Sequence, residues 1–87
     1  MPTHLSAYPN PFHETISFEV EVDDNISTIV RIVDDGGKII KLLSWNLKQG
    51  TNKTSLHDLE TLAQGDYFVE FKDMKGNSLV SARLQKK

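Results

Sequence analysis

Leu62-Ala63-Gln64-Gly65-Asp66-Tyr67-Phe68-Val69-Glu70-Phe71 holds a glycine-led turn followed by a strand on which Tyr67, Val69 and Phe71 share one face. Phe68 falls on the other face. A tyrosine two residues into a late, central strand can bury its ring while its hydroxyl donates to the corner just upstream, the arrangement called a tyrosine corner in β-sandwiches.

Upstream of this stretch, Thr15-Ile16-Ser17-Phe18-Glu19-Val20-Glu21-Val22 alternates strictly, with Ile16, Phe18, Val20 and Val22 on one face, as a half-buried antiparallel strand requires. Asp23-Asp24-Asn25 supplies turn chemistry. Residues 28–34 read as a second strand with Val30 and Ile32 inward and Arg31 toward water. Asp34-Asp35-Gly36-Gly37 is a hairpin turn, and residues 38–44 return as a third strand. The doublets Ile39-Ile40 and Leu42-Leu43 leave its inward face open between a strand covered on both sides and a bulge that shifts register.

Leu47-Lys48-Gln49-Gly50 turns the chain again, and residues 51–56 make a short strand with Thr54 and Leu56 inward. Leu59 and Leu62 flank the approach to the opening stretch, where residues 56–64 allow at most one helical turn before Gly65 ends it. Beyond Phe71, Asp73-Met74-Lys75-Gly76 repeats the Asp-x-x-Gly of residues 34–37, as shared hairpin geometry with Asp capping and Gly closing would produce. The last strand, residues 78–85, puts Val80, Ala82 and Leu84 on one face and Leu79, Ser81 and Arg83 on the other. At the opposite end, Ala7-Tyr8-Pro9-Asn10-Pro11-Phe12 is an extended lead-in or short edge strand, because proline pushes the residue before it away from α geometry.

These segments, with turn signals about every 8–12 residues and no sustained 3.6 periodicity, predict an all-β chain. Its expected form is an immunoglobulin-like Greek-key β-sandwich of about seven short antiparallel strands. One domain is expected. Eighty-seven residues suit a single domain with a modest core.

Composition narrows the function. A net charge of -2 with scattered cations leaves no basic stripe, so nucleic acid is not an expected partner. No apolar run approaches the roughly 18 residues of a membrane-spanning helix. With no cysteine there is no disulfide framework, thiolate metal site or thiol nucleophile. His4, His13 and His57 are not spaced with other ligands, and the acidic turns lack the Asp-x-Asp-x-Asp-Gly pattern of a calcium loop. No Gly-x-Ser-x-Gly is present, and a sandwich this small has little room for a cleft with paired carboxylates. No enzyme activity, metal or cofactor is therefore expected.

Asn25-Ile26-Ser27 and Asn52-Lys53-Thr54 match the glycosylation acceptor pattern, which arises often by chance. Trp45 near a strand end is read as core edge or lid rather than a sugar platform. Phe68, Leu79 and Val33 fall on faces that alternation predicts to be solvated, and the terminal strand can lie at a sheet edge. Apolar side chains beside unpaired backbone groups are what a partner grips, by strand addition or patch docking. A loop covering that face is the alternative.

Taken in order, the chain reads Tyr8-Pro9-Asn10-Pro11-Phe12, Ile16-x-Phe18, Ile32-Val33-Asp34-x-x-Gly37-Lys38, Gly50-x-Asn52 and Leu62-x-x-Gly65-x-Tyr67-x-Val69-x-Phe71. Gly76 and a cation-bearing last strand follow. This succession resembles the C-terminal sorting domain of the type IX (Por) secretion system, in its type A version. The resemblance runs over residues 7–87.

It implies a domain at the extreme C-terminus of a larger exported protein of a Gram-negative bacterium, read as an export signal by an outer-membrane translocon. A sortase-like cysteine peptidase would then remove it, often joining the cargo to anionic lipopolysaccharide; residues 1–6 would be the end of a linker ahead of a sorting domain over residues 7–87, with cleavage upstream of or near Ala7. Tyr8, Pro9, Asn10, Pro11, Gly37, Gly50, Asn52, Gly65, Tyr67 and Gly76 would be structural motif residues. Leu79, Arg83, Gln85, Lys86, Lys87 and Phe68 would contact the partner. Gln85 departs from the family's tail, where an apolar residue is commoner. The rival expectation from another class is an extracellular immunoglobulin-like carbohydrate-binding or spacer module, in which Trp45 would be the sugar contact.

Overall fold

The structure is a computed structural model that describes residues 2–87, with side chains described from His4 onward. The segments that alternate or turn in sequence become seven strands: β1 (Pro2–Tyr8), β2 (Ile16–Val22), β3 (Ile26–Asp34), β4 (Ile39–Leu47), β5 (Gly50–Leu56), β6 (Gly65–Lys72) and β7 (Ser78–Lys86). One sheet has the order β1-β2-β5 and the other β4-β3-β6-β7, all pairs antiparallel. Since β2 passes to β3 and β5 to β6 across the gap between sheets, this is the expected immunoglobulin-like β-sandwich.

The core follows from the alternation. Ile16, Phe18, Val20 and Val22 of β2 face Val30 and Ile32 of β3, Tyr67, Val69 and Phe71 of β6 and Leu84 of β7, all buried. Phe12, Leu47 and Leu59 close the two ends. Beyond Leu56, residues 57–64 connect β5 to β6 without a helix, Leu62 N–H donating to the Leu59 carbonyl at 3.1 Å.

Two findings sharpen the sequence reading. β1 takes in residues 2–6, which the resemblance assigns to the end of a linker; His4 lies opposite Glu21 and Leu5 opposite Val20. Leu5 and Ala7 pack on the core from this strand. The β4 doublets resolve as a bulge. Ile32 pairs with Lys41 and Val33 with Ile39, so Ile40 is the extra residue. Ile40 and Leu43 thereby turn toward the core while Ile39 and Leu42 stay outside, 46% and 63% exposed.

The repeated Asp-x-x-Gly turns share one mechanism. The Asp34 carboxylate accepts from the Gly36 and Lys38 amides at 3.0 and 2.9 Å, and the Asp73 carboxylate accepts from the Lys75 and Asn77 amides, both at 2.9 Å. Gly37 and Gly76 close the turns at φ 88° and 89°, a region that a side chain disfavours. Donation by the Asn77 amide holds the Asp73 carboxyl below its ordinary value of 3.8, against a smaller opposing effect of burial. A depressed folded-state pKa means that this stabilisation is present above the unfolded value and is lost as pH falls through the folded one. Carboxyl-carbon NMR is therefore expected to place the Asp73 midpoint below 3.8. The thermal midpoints of Asp73→Ala and wild type should converge in acid; a pH-independent difference would show that the charge plays no part.

Candidate functional site

Tyr67 sits where the opening stretch predicts. The residue is 5% exposed and its ring meets Phe12 edge-on, with centroids 6.3 Å apart. Its hydroxyl donates to the Ala63 carbonyl at 2.6 Å, so the corner is formed. Burial first, then the charges of Asp34 and Asp35, push the phenol above its ordinary pKa of 10.0, so it remains a donor throughout the neutral range. This corner fixes the start of β6 and, through the pairing of Tyr67 with Leu84, the end of β7.

The end of β7 is held from a second side by the proline-rich segment. Asn10 Nδ2 donates to the Arg83 carbonyl at 3.1 Å and its Oδ1 accepts from the Gln85 amide at 3.0 Å, so one side chain occupies the place of a strand. Phe12 continues the ladder: its amide donates to the Gln85 carbonyl at 2.8 Å, and its carbonyl accepts from the Lys87 amide at 2.9 Å. Phe12 and Lys86 form a parallel bridge. Tyr8, Pro9, Asn10 and Pro11 are themselves exposed, and the peptide bonds Tyr8–Pro9 and Asn10–Pro11 are cis. The proline-rich motif thus works through Asn10 and Phe12, which reach across to the far end of the chain. Nothing local in the sequence signals that pairing.

Lys86, grouped from the sequence with exposed tail contacts, is buried at 4% exposure, and its ammonium donates to the Lys87 main-chain oxygen at 2.9 Å. A period-2 count through Val80, Ala82 and Leu84 already assigns Lys86 to the inward face, and its long stem lies along apolar surface. Arg83, Gln85 and Lys87 are exposed. Leu79 is half-buried because β7 bulges there: Val80 pairs with Phe71 and Ser78 with Lys72.

On the outer face of the four-stranded sheet, Ile39, Val33, Phe68 and Arg83 stand opposite one another across β4, β3, β6 and β7. Phe68 is 38% exposed and Val33 half-buried. The next row is Leu42, Arg31, Glu70 and Ser81, with Arg31 Nε donating to Glu70 Oε1 at 2.6 Å. Arg83 binds Asp66 at 2.7 Å at the other border. These two ion pairs border Phe68 on an apolar strip. Each contributes about 0–1 kcal/mol as a partly solvated pair. Ile39 and Leu42, the most exposed apolar members, are not singled out by the sequence, because the bulge at Ile40 hides their orientation.

The remaining candidates have structural roles. Asn52 Oδ1 accepts from the Lys48 amide at 2.9 Å and its Nδ2 donates to the Lys48 carbonyl at 2.8 Å, while Asn25 Oδ1 accepts from the Gln49 amide at 2.8 Å. Both side chains lock the crossing from β4 to β5 that Gly50 opens. The Trp45 ring packs against Phe71 at 5.9 Å, which places it at the core edge. His4, His13 and His57 are exposed, and among the described residues no group of three or more His, Asp or Glu side chains converges to hold a metal. No helix among the described residues is long and apolar enough to cross a membrane.

The family model described as "Secretion system C-terminal sorting domain" matches residues 6–85. That span includes every strand except part of β1 and the last residue of β7. No curated protein matches the chain. Among solved structures it is similar to part of the crystal structure of Beta-D-glucoside glucohydrolase from Trichoderma reesei. The TM-score is 0.56 and the identity 7%, over 100% of this chain and 18% of that chain. The likeness is one of fold.

Proposed function

Because this chain belongs to the secretion system C-terminal sorting domain family, we propose that an outer-membrane translocon reads it as a folded label and that a sortase-like peptidase then cuts it from its cargo. A type IX sorting domain directs the protein that bears it across the outer membrane, to the cell surface or the medium, and implies a cargo fused to it. The family is one of sorting signals; on our reading the domain binds protein and performs no catalysis.

The contact runs along the outer face of β6 and β7. Phe68 and Arg83 lie opposite each other, and Gln85 stands beside them opposite Asp66. An apolar ring between directional polar groups suits a protein partner. Leu79 and Lys87 extend the contact at the two ends of β7, and Lys86 supports it from beneath by holding the Lys87 main-chain oxygen. Ala7 is half-buried and paired with Phe18, and the rest of β1 is paired with β2 in the same way, so the peptidase cut falls upstream of β1, where a chain can enter an active site extended.

The observation that carries this proposal is a family match spanning almost the whole sandwich, on a molecule whose Phe68 is left uncovered. The test is export of a reporter that carries a signal peptide and this domain, in a host with the pathway. Phe68→Ser with Arg83→Ala is expected to lower export at least about tenfold while the isolated domain stays folded, since neither side chain belongs to the buried core. Unchanged export by that variant would move the contact elsewhere. Unchanged export after deletion of residues 78–87 would end the sorting role itself.

A further inference from the structure

Across the line between β3 and β6, the outer face of the four-stranded sheet carries side chains in complementary pairs. Val33 of β3 stands opposite Phe68 of β6, and two residues along the strands Arg31 stands opposite Glu70. Farther from that line, Ile39 and Leu42 of β4 lie in the same two rows as Arg83 and Ser81 of β7. A shallow groove lined by Arg31, Val33, Gly37, Phe68 and Glu70 opens on this face, and Ile39, Leu42 and Phe68 are exposed.

We propose that this face binds a second copy of the chain, sheet against sheet, about a two-fold axis that runs along the strands between β3 and β6. That rotation lays β3 of one copy over β6 of the other, and β4 over β7. Val33 then meets the second copy's Phe68 and Arg31 meets its Glu70, each contact made twice. Leu42 covers Ser81, and Ile39 covers the aliphatic stem of Arg83. No like charges face one another in these rows. A two-fold axis across the strands would instead set Arg31 on Arg31 and Glu70 on Glu70, so the charges select one geometry.

The three-stranded sheet cannot pair in this way. β2 is its middle strand, so the equivalent rotation brings Glu19 and Glu21 onto the same residues of the second copy. The side chains beside them are polar as well, with Lys53 opposite Glu19 and Thr51 opposite Glu21. Self-complementary charge and exposed aliphatic side chains thus coincide on one face. Four strands about 4.8 Å apart, matched over about six residues of 3.3 Å each, bury on the order of 1,000 Å² in the two copies together. That is just below the roughly 1,200 Å² at which standard interfaces begin, so the dimer is weak and dissociates on dilution. It covers Phe68 and so excludes the translocon contact proposed above; that consequence alone rests on the sorting role.

Sedimentation equilibrium of the full chain is expected to show the average mass rising toward twice the monomer value between about 0.01 and 1 mM. A monomer throughout would overturn the proposal and leave the face to a different protein. Over the same range the methyl NMR signals of Ile39 and Leu42 should shift and that of Thr51 should not; the reverse would place the contact on the other sheet and overturn it too. Arg31→Glu and Glu70→Arg are each expected to weaken self-association at least about tenfold, because like charges then meet. An equimolar mixture of the two restores it, since each copy supplies the sign that the other lacks. A mixture that associates no better than its components would overturn the geometry. Leu42→Lys leaves the Arg31–Glu70 pair intact at an exposed position and should weaken association about tenfold as well. Association unchanged by Leu42→Lys would overturn the proposal even where a charge variant fails to fold. None of these measurements involves export, so their failure leaves the sorting role standing.

Discussion

Tyr67→Ala is expected to cost about 3–5 kcal/mol, the range for removing a buried aromatic from a packed core. The whole domain has a stability of order 5–15 kcal/mol, so this one change brings it close to unfolding at room temperature. Tyr67→Phe retains the ring and its contact with Phe12, and removes only the 2.6 Å bond to Ala63; about 0.5–1.5 kcal/mol is expected. Denaturant midpoints measure both, and an unmoved midpoint for Tyr67→Ala would contradict the burial of the ring. The raised phenol pKa adds a second readout. A folded-state pKa raised above the unfolded value contributes stability that is present below about 10 and is lost as pH rises through the folded value. Wild type should therefore show a steeper loss of stability in alkali than Tyr67→Phe.

Phe71→Ala should be comparably damaging, at about 3–5 kcal/mol. Phe71 is fully buried, and its ring bridges the two sheets, 6.4 Å from Phe18 on β2 and 5.9 Å from Trp45 on β4. Removing it opens a cavity between layers that neither sheet can fill without moving. Phe71→Leu keeps most of the volume and should lose less. Trp45 is the single tryptophan of the chain, so its fluorescence reports the change directly: a red shift in folded Phe71→Ala is expected. An unchanged spectrum with a lost midpoint would mean that Trp45 is held by β4 alone.

Strands β2, β3 and β6 were legible in the sequence because each has one face in the core and one toward water, and a period of two then assigns every side chain. The corner at Tyr67 and the two Asp-x-x-Gly turns were legible for a related reason. Their hydrogen bonds join residues at most four apart, so the local sequence contains both partners. β4 was not, because a bulge inserts one residue and shifts the phase without leaving a mark that distinguishes it from a strand buried on both sides. Part of the candidate surface shared that fate. Phe68 and Arg83 followed from alternation, whereas Ile39 and Leu42 joined the same outer face only through the bulge.

The sequence by itself determined the strands, the turns, the buried tyrosine and, through the order of its motifs, the family. All of these rest on spacing along the chain. Only the tertiary structure decided how the two ends meet. Asn10 lies 73 residues from Arg83 and 75 from Gln85, and no periodicity links positions so far apart. Packing Phe12 beside Tyr67 brings Asn10 to the β7 edge, where its side chain satisfies backbone groups that would otherwise face solvent.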